Sequence, residues 1–367
     1  MILLCILIFA LSGTPARAAD PFRTDLGGFV HQIEFRPDSV RVTRIRQWVS
    51  PVQIHIPLAG GQLDLHSGAM YLEQTDTLKS EAWGALNTRL RGTWSLSRRA
   101  LLTLHAAFPT GKRSLDAEDA NLVRTLARND LNFPVKTFGE GLDIGGALSL
   151  ANQVGHTGWS LGVGYLRKGA YDPVDGVTGY KPGDAFSVSA GIDRTYKHWV
   201  YRLSALGTFY FTDRQNSQVV FRQGKQILFQ MGLLYEGQRL QLNFQVTELL
   251  RLKNQELIPP EGLFLFETRD SNGNDLRGSL EISWTPYLPL TLFGSGHFKY
   301  LTANAHPSTS PLYQGDAHLW QTGGGIKIHL GPRYRLLLKT TRMKGKILDD
   351  TIDLSAFQFQ GGLSRQF

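Results

Sequence analysis

From about residue 38 to the C-terminus, the chain alternates apolar with polar or small residues in stretches of roughly 10–14, and turn signals separate the stretches. Residues 86–96 set Leu86, Leu90, Gly92, Trp94 and Leu96 on one face and Asn87, Arg89, Arg91, Thr93 and Ser95 on the other. In 199–211, Trp199, Tyr201, Leu203, Ala205, Phe209 and Phe211 face away from Arg202, Ser204, Leu206, Thr208 and Tyr210. The stretches 227–235, 240–246 and 357–367 repeat the pattern. Period two denotes strands, and glycine and β-branched residues inside the stretches argue against helix.

Strand length narrows the class. Strands of soluble sheets average about five or six residues, whereas a strand crossing a bilayer needs about nine to eleven. In hydrocarbon every backbone group must be paired, so such strands must close. The connections alternate between short ones (near 97–98, 153–157, 194–198, 236–238, 285–289 and 330–333) and longer ones (near 110–140, 169–183, 252–275 and 302–315). Aromatics sort to the two ends of the apolar face, with Trp94, Trp159, Trp199, Tyr235, Trp284 and Tyr334 at one end. Phe108, Tyr165, Phe186, Phe209, Tyr300, Trp320 and Phe357 gather at the other. The expected fold is all-β: a transmembrane antiparallel up-and-down barrel of about 14 strands (12 to 16 fit the spacing), starting near residue 62, with one helical segment in a long outer loop. Residues 19–61 form an N-terminal segment that fits a tail, a plug or an extra strand pair, and Pro51 disfavours an unbroken central strand there.

The first residues read as an export signal. ILLCILIFAL at 2–11 is too short to span a bilayer as a helix, and Ala16 and Ala18 give an A-x-A site with cleavage expected after Ala18. Cys5 is the only cysteine, which excludes a disulfide scaffold or a cysteine-built metal centre. Placement in the outer membrane follows from the signal together with the barrel pattern.

Phe367 ends an alternating strand and resembles the terminal residue of bacterial outer-membrane barrels, which implies recognition by the barrel-assembly machinery. A second resemblance covers about residues 100–235. Phe108-Pro109-Thr110-Gly111 closes a strand, GEGLDIGGALSL follows a long loop, and YLRKGAY and KPGD lie beyond, ending at Asp184. This is similar to the outer-membrane proteins of the phenol meta-cleavage pathway and the broader fatty-acid and aromatic transporter barrels. The resemblance implies passage of small, often hydrophobic molecules. The N-terminal region lacks an Asn-Pro-Ala motif that marks the long-chain fatty-acid transporters.

Other motifs fail on their own requirements. Gly111-Lys112 lacks the upstream glycine and following hydroxyl of a phosphate loop, where Ala106 and Arg113 stand instead. Gly139, Gly141 and Gly145 are misspaced for a dinucleotide loop. DSNGND at 270–275 offers oxygens of Asp270, Asn272 and Asn274 to Ca²⁺, but a plain Asn-Gly turn accounts for it better. No H-E-x-x-H occurs, and His105 and His297 have no sequence partner for catalysis, so neither an enzyme nor a metal or other cofactor is expected. In 114–130, Ser114 or Asp116 can cap a helix with Leu122, Val123 and Leu126 on one face. Such a helix fits either a constriction in the pore mouth or a cap on the barrel rim.

The net charge is +8. Charge on a lipid face is costly at mid-depth, so inward positions are its expected home. The alternation places Arg89, Arg91, Arg202, Arg239, Arg277, Lys299, Lys327, Arg335 and Lys339 inward, with fewer acids: Asp143, Asp193 and Glu281. Basic pore linings favour anions. The expected function is a channel or transporter for small hydrophobic or anionic solutes, and the alternative is a non-transporting structural, assembly or adhesion barrel. Expected partners are outer-membrane lipid and lipopolysaccharide, the assembly machinery and a small-molecule solute; nucleic acid is not among them.

Overall fold

The computed structural model describes residues 22–36, 42–76, 79–112, 114–258, 263–310 and 312–366. The export signal and Phe367 lie outside them. Sixteen strands form one closed antiparallel barrel, two more than the expected 14. They are β1 (Arg23–Arg36), β2 (Thr43–Leu58), β3 (Gly61–Thr75), β4 (two segments, Lys79–Ala85 and Thr88–Ser95), β5 (Ala100–Phe108), β6 (Asp143–Val154), β7 (Thr157–Arg167) and β8 (Ala185–Tyr196). The circle continues through β9 (Trp199–Tyr210), β10 (Gln226–Glu236), β11 (Leu240–Arg251), β12 (Asp275–Tyr287), β13 (Leu290–Leu301), β14 (Ala317–Leu330), β15 (Tyr334–Ile347) and β16 (Ile352–Gln366). Each pairs with its neighbours, and β16 closes on β1 from Arg23↔Gln366 to Arg36↔Asp353. Short segments at 180–181, 212–215, 218–222, 255–258 and 263–266 form a second sheet from the long connections.

The strand count was missed in the N-terminal segment, where β1 and β2 are wall strands. Pro51 does not break β2. Its ladder with β3 is continuous through Pro51↔Gly68, while the ladder with β1 skips from Leu26↔Val52 to Phe29↔Val49. Proline has no N–H to give. On the β1 side, Ser50 Oγ donates to Gly27 O at 3.4 Å. Gly68 permits the tight approach on the other side, since a Cβ there would stand 2.6 Å from Ser50 O.

The exterior is apolar. Ile144, Leu148 and Leu150 of β6, Leu161 and Val163 of β7, and Val188 and Ile192 of β8 are all exposed, while Ser149 between them is buried. Phe186 sits opposite both Tyr165 and Phe209 in one row toward the long connections. Trp159 and the Trp199–Tyr235 pair, with ring centroids 4.8 Å apart, mark the end with the tight turns. There Gly155 turns the chain at φ +60°, a region open to glycine. A closed sheet with an apolar outer wall belongs in hydrocarbon.

The interior is filled on one side only. The connection from β5 to β6 folds into the barrel, and its helix α1 (Ala117–Ala127) is capped by Asp116, whose side chain accepts from Asp119 N at 2.8 Å. Leu122, Leu126, Leu131, Phe133 and Phe138 of this loop form one core with Ile33, Ile45, Leu72, Leu319 and Met343 of the wall. The loop therefore packs against the inner wall near the end of the barrel that carries the long connections.

Val163→Arg, at the middle of the outer face of β7, is expected to cost about 2–4 kcal/mol. The check is a urea midpoint in phospholipid vesicles, and an unchanged midpoint would contradict the exterior assignment.

Candidate functional site

The site is the space left between the inserted loop and the opposite wall. The loop is held by side chains of the strands. Pairs shift by one residue between Ala69↔Ala85 and Leu65↔Leu90, so β4 carries an extra residue around 86–88. Such a bulge re-aims a side chain. Here Asn87 Oδ1 accepts from Gly111 N at 3.2 Å and Nδ2 donates to Glu140 O at 3.3 Å, so one residue clamps both stems of the loop. Gln47 of β2 reads the loop backbone: its Nε2 donates to Val135 O at 2.7 Å and its Oε1 accepts from Val135 N at 3.4 Å. His31 packs edge-on against Phe133 with centroids 5.5 Å apart.

Beside the loop lies a cavity of about 730 Å³. Polar and charged side chains lining it include Arg91, His105, Lys168, Asp275, Arg277, His297 and Lys299, and the apolar lining includes Leu206, Leu228, Leu249, Leu319 and Met343. A smaller void of about 60 Å³, sharing Gln245 with it, is lined by Arg202, Asp193, Gln230 and Asn243.

The charges fall into separate groups. Lys168 binds Asp143 at 2.7 Å and Glu140 at 3.1 Å. Burial alone would lower its pKa, but the two carboxylates outweigh burial and raise it. Near the loop end of the lumen, Arg277 binds buried Asp275, and Arg251 stands 3.8 Å from the same carboxylate. Lys299 Nζ donates to Asn129 O and, at 3.4 Å, to Asn132 Oδ1. Lys136 Nζ donates to Asn129 Oδ1 at 2.7 Å, and burial, followed by the nearby Arg277 and Arg251, lowers its pKa.

Of the residues picked out by alternation, Arg91, Arg277 and Lys299 line the main cavity, and Asp143 is bound to a lining lysine. Arg89 shares the face of Arg91, opposite His66 and Ala107. Arg202 sits opposite Asp193 in the strand register, at the smaller void. Glu281 stands opposite Asn243 and Ser295. Lys327 lies over the Phe293 ring at 5.0 Å, Lys339 faces Gly325 and Gln360, and Arg335 faces His329 and Ser364. Arg239 is different: it lies in the turn between β10 and β11, where its carbonyl accepts from Thr285 N, and not on a strand. Alternation did not single out Lys136, Lys168, Arg251 or Asp275. Lys136 and Lys168 lie in connections, where period two carries no signal, and Arg251 and Asp275 stand at strand ends. Leu206 and Leu228 were legible as apolar residues in inward phase.

Two motifs resolve as structural. Asn272 N donates to Asp270 Oδ1 and Asn274 Oδ1 accepts from Arg251 N, so the 270–275 oxygens serve the loop. Gly111 and Gly139 lie against each other at the loop stems, beside Asn87.

No family model matches the sequence, and no curated protein matches it. Among solved structures, the chain is similar to a TodX monoaromatic hydrocarbon channel mutant, with 11% identity, a TM-score of 0.49, and 98% of this chain and 94% of that one covered. It is also similar to OccK7 (OpdD) of Pseudomonas aeruginosa, with 11% identity, a TM-score of 0.45, and 94% and 99% covered. A third is the CymD monoaromatic hydrocarbon channel, with 10% identity, a TM-score of 0.41, and 95% and 89% covered.

Gln47→Leu removes the side chain that satisfies both backbone groups of Val135. Leaving them buried and unpaired costs about 1–3 kcal/mol. Tryptic cleavage after Arg128 and Lys136 should accelerate in a folded barrel, and unchanged cleavage would refute the anchoring role of Gln47.

Proposed function

We propose that this chain is an outer-membrane channel for small solutes, with the inserted loop as its constriction. The observation that carries this reading is the cavity left in the lumen beside the inserted loop. A barrel of about 16 strands is wide enough for an aqueous path, and the loop core occupies the β1–β4 and β13–β16 side, leaving beside it a cavity of about 730 Å³ that is bounded by the remaining wall and by Lys299, Leu319 and Met343. That volume falls within the usual range of small-molecule sites, about 300–1,000 Å³. A barrel serving only as an anchor or adhesin has no need of such a space lined by convergent charges.

Outer-membrane placement is supported by the sixteen antiparallel strands, the tight turns at one end and long connections at the other, and the exposed apolar wall. Lipid then covers the wall, lipopolysaccharide meets the end with the long connections, and the assembly machinery reads the last strand. The chemistry of the lumen is that of binding and passage, with no step that makes or breaks a covalent bond.

The refolded protein should conduct in planar bilayers. Replacing residues 114–135 by a short Gly-Ser linker should raise single-channel conductance severalfold while heat-modifiable migration persists. A folded protein that never conducts, with or without the loop, would overturn the reading.

A further inference from the structure

One region of the lumen joins an excess of positive charge to an apolar surface. Lys136 lies near Arg251 and Arg277, Lys299 lies near Arg277 and Lys136, and among the described residues the carboxylates acting on the two lysines are Asp275 and Asp130. Asp275 is shared by both arginines, and Asp130 is bound by Arg128. Both lysine ammoniums rest on the same residue, Asn129, through its amide oxygen and its backbone carbonyl, which carry no formal charge. Lys299 is only 6% exposed. Two lysine ammoniums held by uncharged oxygens, inside a protein where charge is poorly screened, leave positive charge to be met by an anion.

The apolar surface adjoins it. Leu206, Leu228 and Leu249 stand opposite one another on β9, β10 and β11, and the row ends at Asp275 on β12. The next inward row passes through Thr247, Arg277, Lys299 and Leu319. All three leucines line the cavity, yet none belongs to the core that packs the inserted loop. Leu206 and Leu249 are buried and Leu228 half-buried, so the strip forms an apolar wall of the cavity that an apolar body entering it would meet.

We infer that this region is a binding subsite for a small amphipathic monoanion, with its carboxylate at Lys299 and Arg277 and its apolar body on the row Leu206–Leu228–Leu249. The inference rests on the channel reading only for how the ligand arrives. Arg277 is fixed by its contact with Asp275, and Lys299 by Asn129 and Asn132, so the cations are positioned before the ligand enters. A neutral aromatic gains only the leucines, and a short carboxylate gains only the charge.

The test is titration calorimetry on the refolded protein in detergent, paired with planar-bilayer conductance of the same preparation. Benzoate, benzyl alcohol and acetate are the probes. Benzoate should bind at least tenfold more tightly than either of the others. Lys299→Met should weaken benzoate tenfold or more and leave benzyl alcohol unchanged, whereas Leu228→Asn should weaken both. Lys136→Gln, on the loop and not on the wall, gives the charge test independently if Lys299→Met does not assemble. Equal binding of benzoate and benzyl alcohol, equal binding of benzoate and acetate, or benzoate binding untouched by the lysine variants would overturn the subsite. Benzoate binding without conductance would overturn the channel reading alone, and conductance without benzoate binding would overturn the subsite alone.

Discussion

An unpaired backbone N–H or C=O in hydrocarbon costs several kcal/mol, and a sheet with two open edges would present a row of them to lipid. The seam between β1 and β16 removes both edges at once, with pairs running from Arg23↔Gln366 to Arg36↔Asp353. Every other feature depends on that closure. It turns one face of each strand outward as a common apolar wall and the other inward as a common lumen. It also makes the first strand indispensable, since β15 pairs only one edge of the last strand and β1 covers the other. The interruption at Pro51 is tolerable because it spans a few residues of one ladder while β2 remains fully paired with β3.

Closure alone would leave a wide pore, and the loop between β5 and β6 makes it narrow and asymmetric. Its apolar residues cover Ile33, Ile45, Leu72 and Met343, which would otherwise face water inside the barrel. The two surfaces need each other for the ordinary hydrophobic reason. Polar side chains fix the register of this docking, with Asn87 on both stems and Gln47 on the Val135 backbone. The loop also delivers Asn129, Asn132 and Lys136 to the charged wall. A packing element thereby becomes part of the site.

The same packing explains where sequence patterning failed. In β1 the inward positions Phe29, Ile33 and Phe35 pack against the loop core, while Gln32 and Glu34 point outward and bond Arg46 and Arg44 of β2 at 2.7 Å. Toward its loop end the strand is apolar inside and charged outside, the reverse of the pattern that marks a lipid-facing strand. A reading tuned to apolar-out alternation passes over it, and the strand count falls two short.

Local periodicity was sufficient for what is local. It showed long strands from residue 62 onward, tight turns alternating with long connections, the aromatic rows, a helix that Ser114 or Asp116 could cap, and the inward phase of Arg91, Arg277 and Lys299. These follow from which way successive side chains point along one strand or helix, which neighbouring residues alone decide. Tertiary structure decided the closure at β1, the inward fold of the loop, the bulge that aims Asn87, and the meeting of Lys136, Arg251, Asp275 and Lys299 from one loop and three strands. Those depend on the register between strands far apart in the chain and on which apolar surfaces bury one another. Neither is written in the order of residues along any single segment.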